Sequence, residues 1–107
     1  MARPESRSAA VAPGRFPAPP DPVAVAAAWR ARGYSCHAFD DPPGQAWNDF
    51  VHETNEVVTV VEGRLELIVE RARFVVEPGD EAFIPRHARH SVRNLAEGRT
   101  RWLFGYD

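Results

Sequence analysis

Residues 46–63, AWNDFVHETNEVVTVVEG, hold two short β-favouring runs, Ala46–His52 and Glu56–Val61. Thr54-Asn55 separates them and Glu62-Gly63 closes the second. Runs of this length, rich in Val, Phe, Thr and Trp and bounded by turn residues, are strands. The same pattern extends outward in both directions. Further runs are Tyr34–Phe39, Arg64–Glu70, Arg73–Val76, Glu81–Ile84, His90–Asn94 and Thr100–Tyr106. The breaks between them are Asp41-Pro42-Pro43-Gly44, Arg71-Ala72, Pro78-Gly79-Asp80, Pro85-Arg86 and Ala96-Glu97-Gly98. No helical period survives from Tyr34 onward. Many short strands with closely spaced turns fold as an antiparallel sandwich or barrel, so residues 34–107 are expected to form one all-β domain.

Upstream the pattern changes. Asp21-Pro22 followed by an Ala-rich run through Trp29 to Arg32 and then Gly33 predicts a short helix over residues 21–33. Asp21 caps it, Pro22 suits the first turn, and Gly33 accepts the left-handed closing conformation. About ten such residues are marginal alone, so Trp29 is expected to dock the helix on the domain behind it. Residues 1–20, rich in Pro, Ala, Arg and Ser, offer Phe16 as their one large apolar side chain. They are expected to form a disordered or draped Pro/Ala-rich tail.

Composition narrows the class. With 107 residues, 44% hydrophobic and 26% charged, the chain is one ordinary globular domain. A net charge of −2 gives no footprint for nucleic acid or an anionic membrane. The single cysteine, Cys36, cannot form an internal disulfide. The longest apolar run, Val23 to Trp29, is far short of the ~20 residues of a membrane span. A cytoplasmic location is the expectation.

The chemistry concentrates in two stretches. On one straight strand His52 and Glu56 would stand about 13 Å apart, too far for one metal ion. A tight turn at Thr54-Asn55 would start the returning strand at Glu56, opposite His52, so that imidazole and carboxylate converge. In Pro78–Asn94 a Pro-Gly-Asp turn opens a brief strand, Pro85 ends it, and His90 begins the next. In a closed barrel that strand lies beside the one bearing His52.

Together the two stretches resemble the cupin superfamily. Its first motif is Gly-x5-His-x-His-x3,4-Glu-x6-Gly, and Gly44, His52, Glu56 and Gly63 match it in register. Its second is Gly-x5-Pro-x-Gly-x2-His-x3-Asn, matched by Gly79, Pro85, His90 and Asn94. The resemblance covers roughly residues 34–106. It implies a cupin-type double-stranded β-helix, or jelly-roll, barrel, here preceded by a short N-terminal helix. It also implies a divalent transition metal (Fe, Mn, Ni, Co, Cu or Zn) held inside by His52, Glu56 and His90. Two positions depart from the pattern: Phe50 stands where the family has its first metal-binding His, and His87 where it has Gly. Two imidazoles and one carboxylate still hold such an ion and leave positions open. Phe50 is then expected to line the pocket.

Each residue also has a plainer reading. His52 and His90 are alternatively ordinary inward-facing histidines, and Glu56 a carboxylate paired with Arg86 or Arg93. His87 is expected at the rim, with His37 a remote fourth-ligand candidate. Cys36 reads as a small buried hydrophobe, and Trp47, Trp102, Phe104 and Tyr106 as core or subunit contact. By resemblance the chain is either a metal-dependent enzyme of dioxygenase or isomerase type, or a non-catalytic barrel that binds or senses a small ligand. A small molecule and a second copy of the chain, as a homodimer, are the expected partners, with neither nucleic acid nor membrane among them.

Overall fold

Strand β4 (Glu56–Glu62) is the centre of the molecule, and its continuous apolar run Val57-Val58-Thr59-Val60 reflects burial on both faces. In the computed structural model, which describes residues 7–107, Val58 and Val60 face the main core. Val57 faces the opposite way, into a second cluster with Val25, Trp29, Phe83 and Leu103. That second cluster exists because the helix α1 (Pro22–Ala31) lies across the outer face of the sheet. Val25 and Trp29, four residues apart on one helix face, are both fully buried.

Eight further strands complete two sheets. The first has the order β1 (Ala10–Ala12), β7 (Glu81–Ile84), β4, β9 (Thr100–Tyr106) and β2 (His37–Asp41). The second runs β3 (Ala46–Phe50), β8 (His90–Asn94), β5 (Leu65–Val69) and β6 (Ala72–Val76). Paired strands are antiparallel throughout both sheets. Their inner faces enclose Val58, Val60, Leu65, Leu67, Val69, Val76, Ile84, Val92 and Trp102. This is the all-β architecture expected from the strand pattern, in the jelly-roll form that the family resemblance implied. Gly63, between β4 and β5, has φ +101, and a Cβ there would collide with Thr100. Only glycine fits that turn.

Three expectations are corrected. Part of the tail is not disordered: Ala10–Ala12 pairs with Glu81–Phe83, and the Phe16 N–H donates to the Gly79 carbonyl. Val11 and Phe16 also pack against the two clusters and Arg7 lies over the Phe83 ring, single scattered side chains that make no pattern in the sequence; residues 1–6 lie outside the described residues. The first barrel strand is His37–Asp41 rather than Tyr34–Phe39, because Tyr34 and Cys36 pack against the helix cluster instead. Finally, β3 and β4 do not form a hairpin. They belong to different sheets, and residues 51–55 cross between them.

The helix is fastened by one carboxylate. Glu81 of β7 is buried, accepts the Trp29 indole N–H at 2.8 Å and both terminal nitrogens of Arg32 at 2.8 Å, and has Arg15 at 3.7 Å. Burial alone would raise its pKa, but the Arg32 and Trp29 hydrogen bonds outweigh it and hold the carboxyl below its ordinary value. A depressed folded pKa contributes stability that is complete above the unfolded carboxyl pKa of about 4.3 and is lost as pH falls through the lower folded value. Thermal melts should therefore show Glu81→Gln less stable than the parent at neutral pH. The gap should close in the acid range below pH ~4.

Candidate metal centre

Five strands and one crossing loop converge on a single cavity of about 300 Å³. From β9, the alternate residues Trp102, Phe104 and Tyr106 share the inward face. Phe39 of β2 joins them. The second sheet contributes Trp47 and Phe50 of β3, and His90 and Val92 of β8. Glu56 enters as the first residue of β4, cross-strand from Tyr106.

The structure brings His52, Glu56 and His90 together: one ligand atom from each lies within 4.8 Å of the other two. Glu56 Oε1 is 3.4 Å from His90 Nε2 and 3.6 Å from His52 Nε2. Their meeting does not depend on the hairpin expected at Thr54-Asn55. His90 sits in one sheet, Glu56 in the other, and His52 in the loop that bridges them. Phe50 is cross-strand from His90, and its ring centroid lies 6.0 Å from that of His52 and 6.3 Å from that of His90. It therefore lines the cavity on the side where the family pattern has a third imidazole.

The neighbours of each ligand candidate fix its orientation. His90 Nδ1 lies 3.0 Å from the Ala88 carbonyl. A carbonyl only accepts, so Nδ1 carries the hydrogen and, in the neutral ring, Nε2 presents its lone pair to Glu56. Burial alone would lower the His90 pKa, but the Glu56 carboxylate and the Ala88 carbonyl raise it above the ordinary value. The His52 carbonyl accepts the backbone N–H of His87 at 2.7 Å. His87 has φ +68, so it occupies a left-handed position where the family motif has Gly, and its side chain is exposed. Histidine tolerates that conformation better than most residues. Its contribution is a backbone tether on the His52 loop. The loop's other end is held by Asn55, which bonds Asp107 and accepts the Arg86 N–H.

Glu56 has neither of the arginine partners considered for it. Arg86 lies 3.8 Å from Asp107, and Arg93 pairs with Glu66. Glu56 is 4% exposed, and with His90 neutral its Oε1 has no hydrogen-bond partner among the described residues. A buried carboxylate oxygen in that condition costs several kcal/mol unless a cation or donor is supplied. The donor set fits a transition ion. Around an ion with bonds of about 2.1 Å, neighbouring nitrogen and oxygen donors stand roughly 3–3.5 Å apart, close to the separations between Glu56 and the two imidazoles.

The other sequence candidates lie elsewhere. His37 lies on the same face of β2 as Phe39, cross-strand from Phe104, but is solvent-exposed and outside the cavity lining, its ring tilted against Phe104 at 5.3 Å and Tyr106 at 6.4 Å. Cys36 is half-buried beside the helix cluster, and burial raises its pKa, which suits a packing residue. Trp47, Trp102, Phe104 and Tyr106, expected as core or subunit contact, are the cavity wall. The spacing of positions 102, 104 and 106 was the available signal. Burial, with the Glu56 charge adding to it, pushes the Tyr106 phenol up to about 12, so it stays protonated at neutral pH.

One residue carried no sequence signal for its role. Asp41 is 2% exposed, and its Oδ2 accepts the indole N–H of both Trp47, at 3.1 Å, and Trp102, at 3.0 Å. Preceding Pro42-Pro43-Gly44, it reads as an ordinary turn residue. Asn94, the last residue of the second motif, spans the carbonyls of Asp41, Pro42 and Gly98 and so holds this corner in place.

Comparison with known proteins agrees with this geometry. The family model of the Cupin domain matches residues 38–106. A cupin 2 domain-containing protein from Halorhodospira halophila is 25% identical with a TM-score of 0.64, the match covering 69% of this chain and 52% of that one. TT1209 from Thermus thermophilus is 28% identical with a TM-score of 0.62, over 68% of this chain and 71% of its own. The polyketide cyclase RemF from Streptomyces resistomycificus, at 24% identity and a TM-score of 0.60, is alike in fold, over 68% of this chain and 53% of the cyclase. The chain thus spans about half the length of the first and third of these. No curated protein matches it. With both motifs folded onto one cavity and the family model spanning most of the barrel, the chain belongs to the cupin family.

Proposed function

We propose that the barrel binds a divalent transition metal ion through His52, Glu56 and His90, and that a small oxygenated molecule occupies the cavity beside it. The observation that carries this reading is the buried Glu56 Oε1, partnerless and facing two imidazole nitrogens at 3.4 and 3.6 Å. An ion bound there supplies Lewis-acid polarisation of an oxygenated ligand or redox chemistry of the dioxygenase type. The protein's own contribution is positional. Glu56 gives the anionic donor, the Ala88 carbonyl sets the His90 ring, and the His87 N–H anchors the His52 loop. Phe50, Phe104 and Tyr106 line the cavity beside the three ligands with aromatic surface. Tyr106, neutral at pH 7, adds a phenol that can donate to a ligand oxygen.

A second reading, a non-catalytic barrel that binds or senses its ligand, is favoured by Phe50. Its ring occupies the side from which a further imidazole would complete the set, so the ion has three protein donors. In either reading the free edges of β2 and β3 offer backbone groups through which two copies could pair as the expected homodimer.

Elemental analysis of the purified protein tests the proposal. About one equivalent of a transition metal is expected in the parent, and a small fraction of that in His52→Ala. A metal-free parent, or equal content in both, overturns it. If metal is present, oxygen uptake with small catechol-like or diketone compounds separates enzyme from sensor.

A further inference from the structure

The polar groups of the cavity are unevenly placed. On β9 and β4 the inward residues descend in pairs: Tyr106 beside Glu56, Phe104 beside Val58, and Trp102 beside Val60. Four residues of strand from Tyr106 to Trp102 span about 13 Å. The lining carboxylate and both imidazoles sit at the Tyr106 end, and beyond them the wall is Phe39, Trp47, Phe50, Val92, Trp102 and Phe104. Two of those side chains, the tryptophans, carry an N–H that could have served a ligand. Asp41 accepts both. The far part of the cavity is thereby left with aromatic surface and no side-chain hydrogen-bonding group of its own. Asp41 itself is buried, its Oδ2 is engaged by both indoles, and it is not part of the cavity lining.

From this arrangement we infer that the ligand is amphiphilic: a flat, apolar ring body with one oxygen-bearing end. The ring lies against the aromatic walls contributed by the two sheets, and the oxygen end meets the His52–Glu56–His90 group. This inference rests on reading the cavity as a binding site, and it does not require the metal. It excludes polyhydroxylated compounds such as sugars and cyclitols. Their hydroxyls would lose water at the far end and find no partner there, and each one left unpaired lowers the affinity.

The test is calorimetric titration of the full chain with two probes, 3-hydroxy-2-naphthoate and myo-inositol. Each is run on zinc-loaded protein and on protein stripped with a chelator. The naphthoate should bind saturably in both forms, more weakly in the stripped one, where its carboxylate faces the Glu56 charge with no ion between them, and myo-inositol in neither. Phe104→Leu, which keeps an apolar side chain in place but removes a ring, should weaken naphthoate binding about three- to tenfold. The far-UV circular dichroism of this variant should match that of the parent. Phe39→Ala, at a half-exposed position of the edge strand, gives a second variant whose fold does not depend on core packing, and it should weaken binding likewise. Naphthoate binding that is the same with and without zinc supports the ring-body inference while counting against the metal proposal. No saturable naphthoate binding, inositol binding of similar strength, or indifference to both ring deletions overturns the inference.

Discussion

Glu56→Gln should lower affinity for a transition metal at least about 100-fold while leaving the metal-free protein no less stable than its parent. The scale follows from direct ligation: altering groups that merely support a ligand already costs 10–100-fold in metal affinity, and Glu56 is the sole anionic donor among the three. The stability half of the prediction separates a metal site from a structural ion pair. In the parent, a buried carboxylate oxygen lacks a hydrogen-bond partner, with imidazole nitrogens at 3.4 and 3.6 Å. A glutamine amide is uncharged and can donate to the His90 Nε2 lone pair, which a carboxylate cannot. Competition titration with a chromogenic chelator measures the first effect, and melting of chelator-treated proteins measures the second. Unchanged metal affinity would remove Glu56 from the centre. A fall of several degrees in the metal-free variant would make the residue a core ion pair instead.

Trp29→Ala should destabilise the protein by about 3–5 kcal/mol. Trp29 is fully buried between α1 and the outer face of the β7–β4–β9 sheet, with Val25, Val57, Phe83 and Leu103 around it. Removing the indole opens a cavity there and takes one donor from the buried Glu81 carboxylate. Against a total of about 5–15 kcal/mol for a domain of this kind, the loss is large. At about 4–8 °C per kcal/mol it lowers the melting temperature by more than ~10 °C. Thermal melts with the metal content held fixed check it. A shift of only a degree or two would mean that α1 is peripheral to the fold.

The sequence was most informative where spacing alone carries meaning. His52, Glu56 and His90 could be nominated because motif intervals survive whatever the chain does between them. The path that unites them could not, because a turn at Thr54-Asn55 and a crossing from sheet to sheet look alike in composition. Val57-Val58-Thr59-Val60 was legible as a strand, but the reason for its unbroken apolarity, a helix on the far face, lay thirty residues upstream. Asp41 was opaque for a different reason. Its role depends on two indoles, one six residues away and one sixty-one residues away, and its local context is that of a turn. The strand Ala10–Ala12 was hidden because three small residues are too few to show an alternation, and the backbone pairing that places them is open to every residue but proline.

The strands β2 and β3 each end their sheet, and between them the wall is completed by side chains: Phe39 lies parallel to Trp47, with ring centroids 5.5 Å apart and planes inclined by 4°. Entry along that seam therefore needs no hinge and no moving flap. Trp47 is pinned through its N–H, whereas Phe39, 43% exposed, is free of any such tie. A solute entering there would have to displace only the Phe39 ring, a side-chain rotation faster than the microsecond-to-millisecond motions of loops and domains.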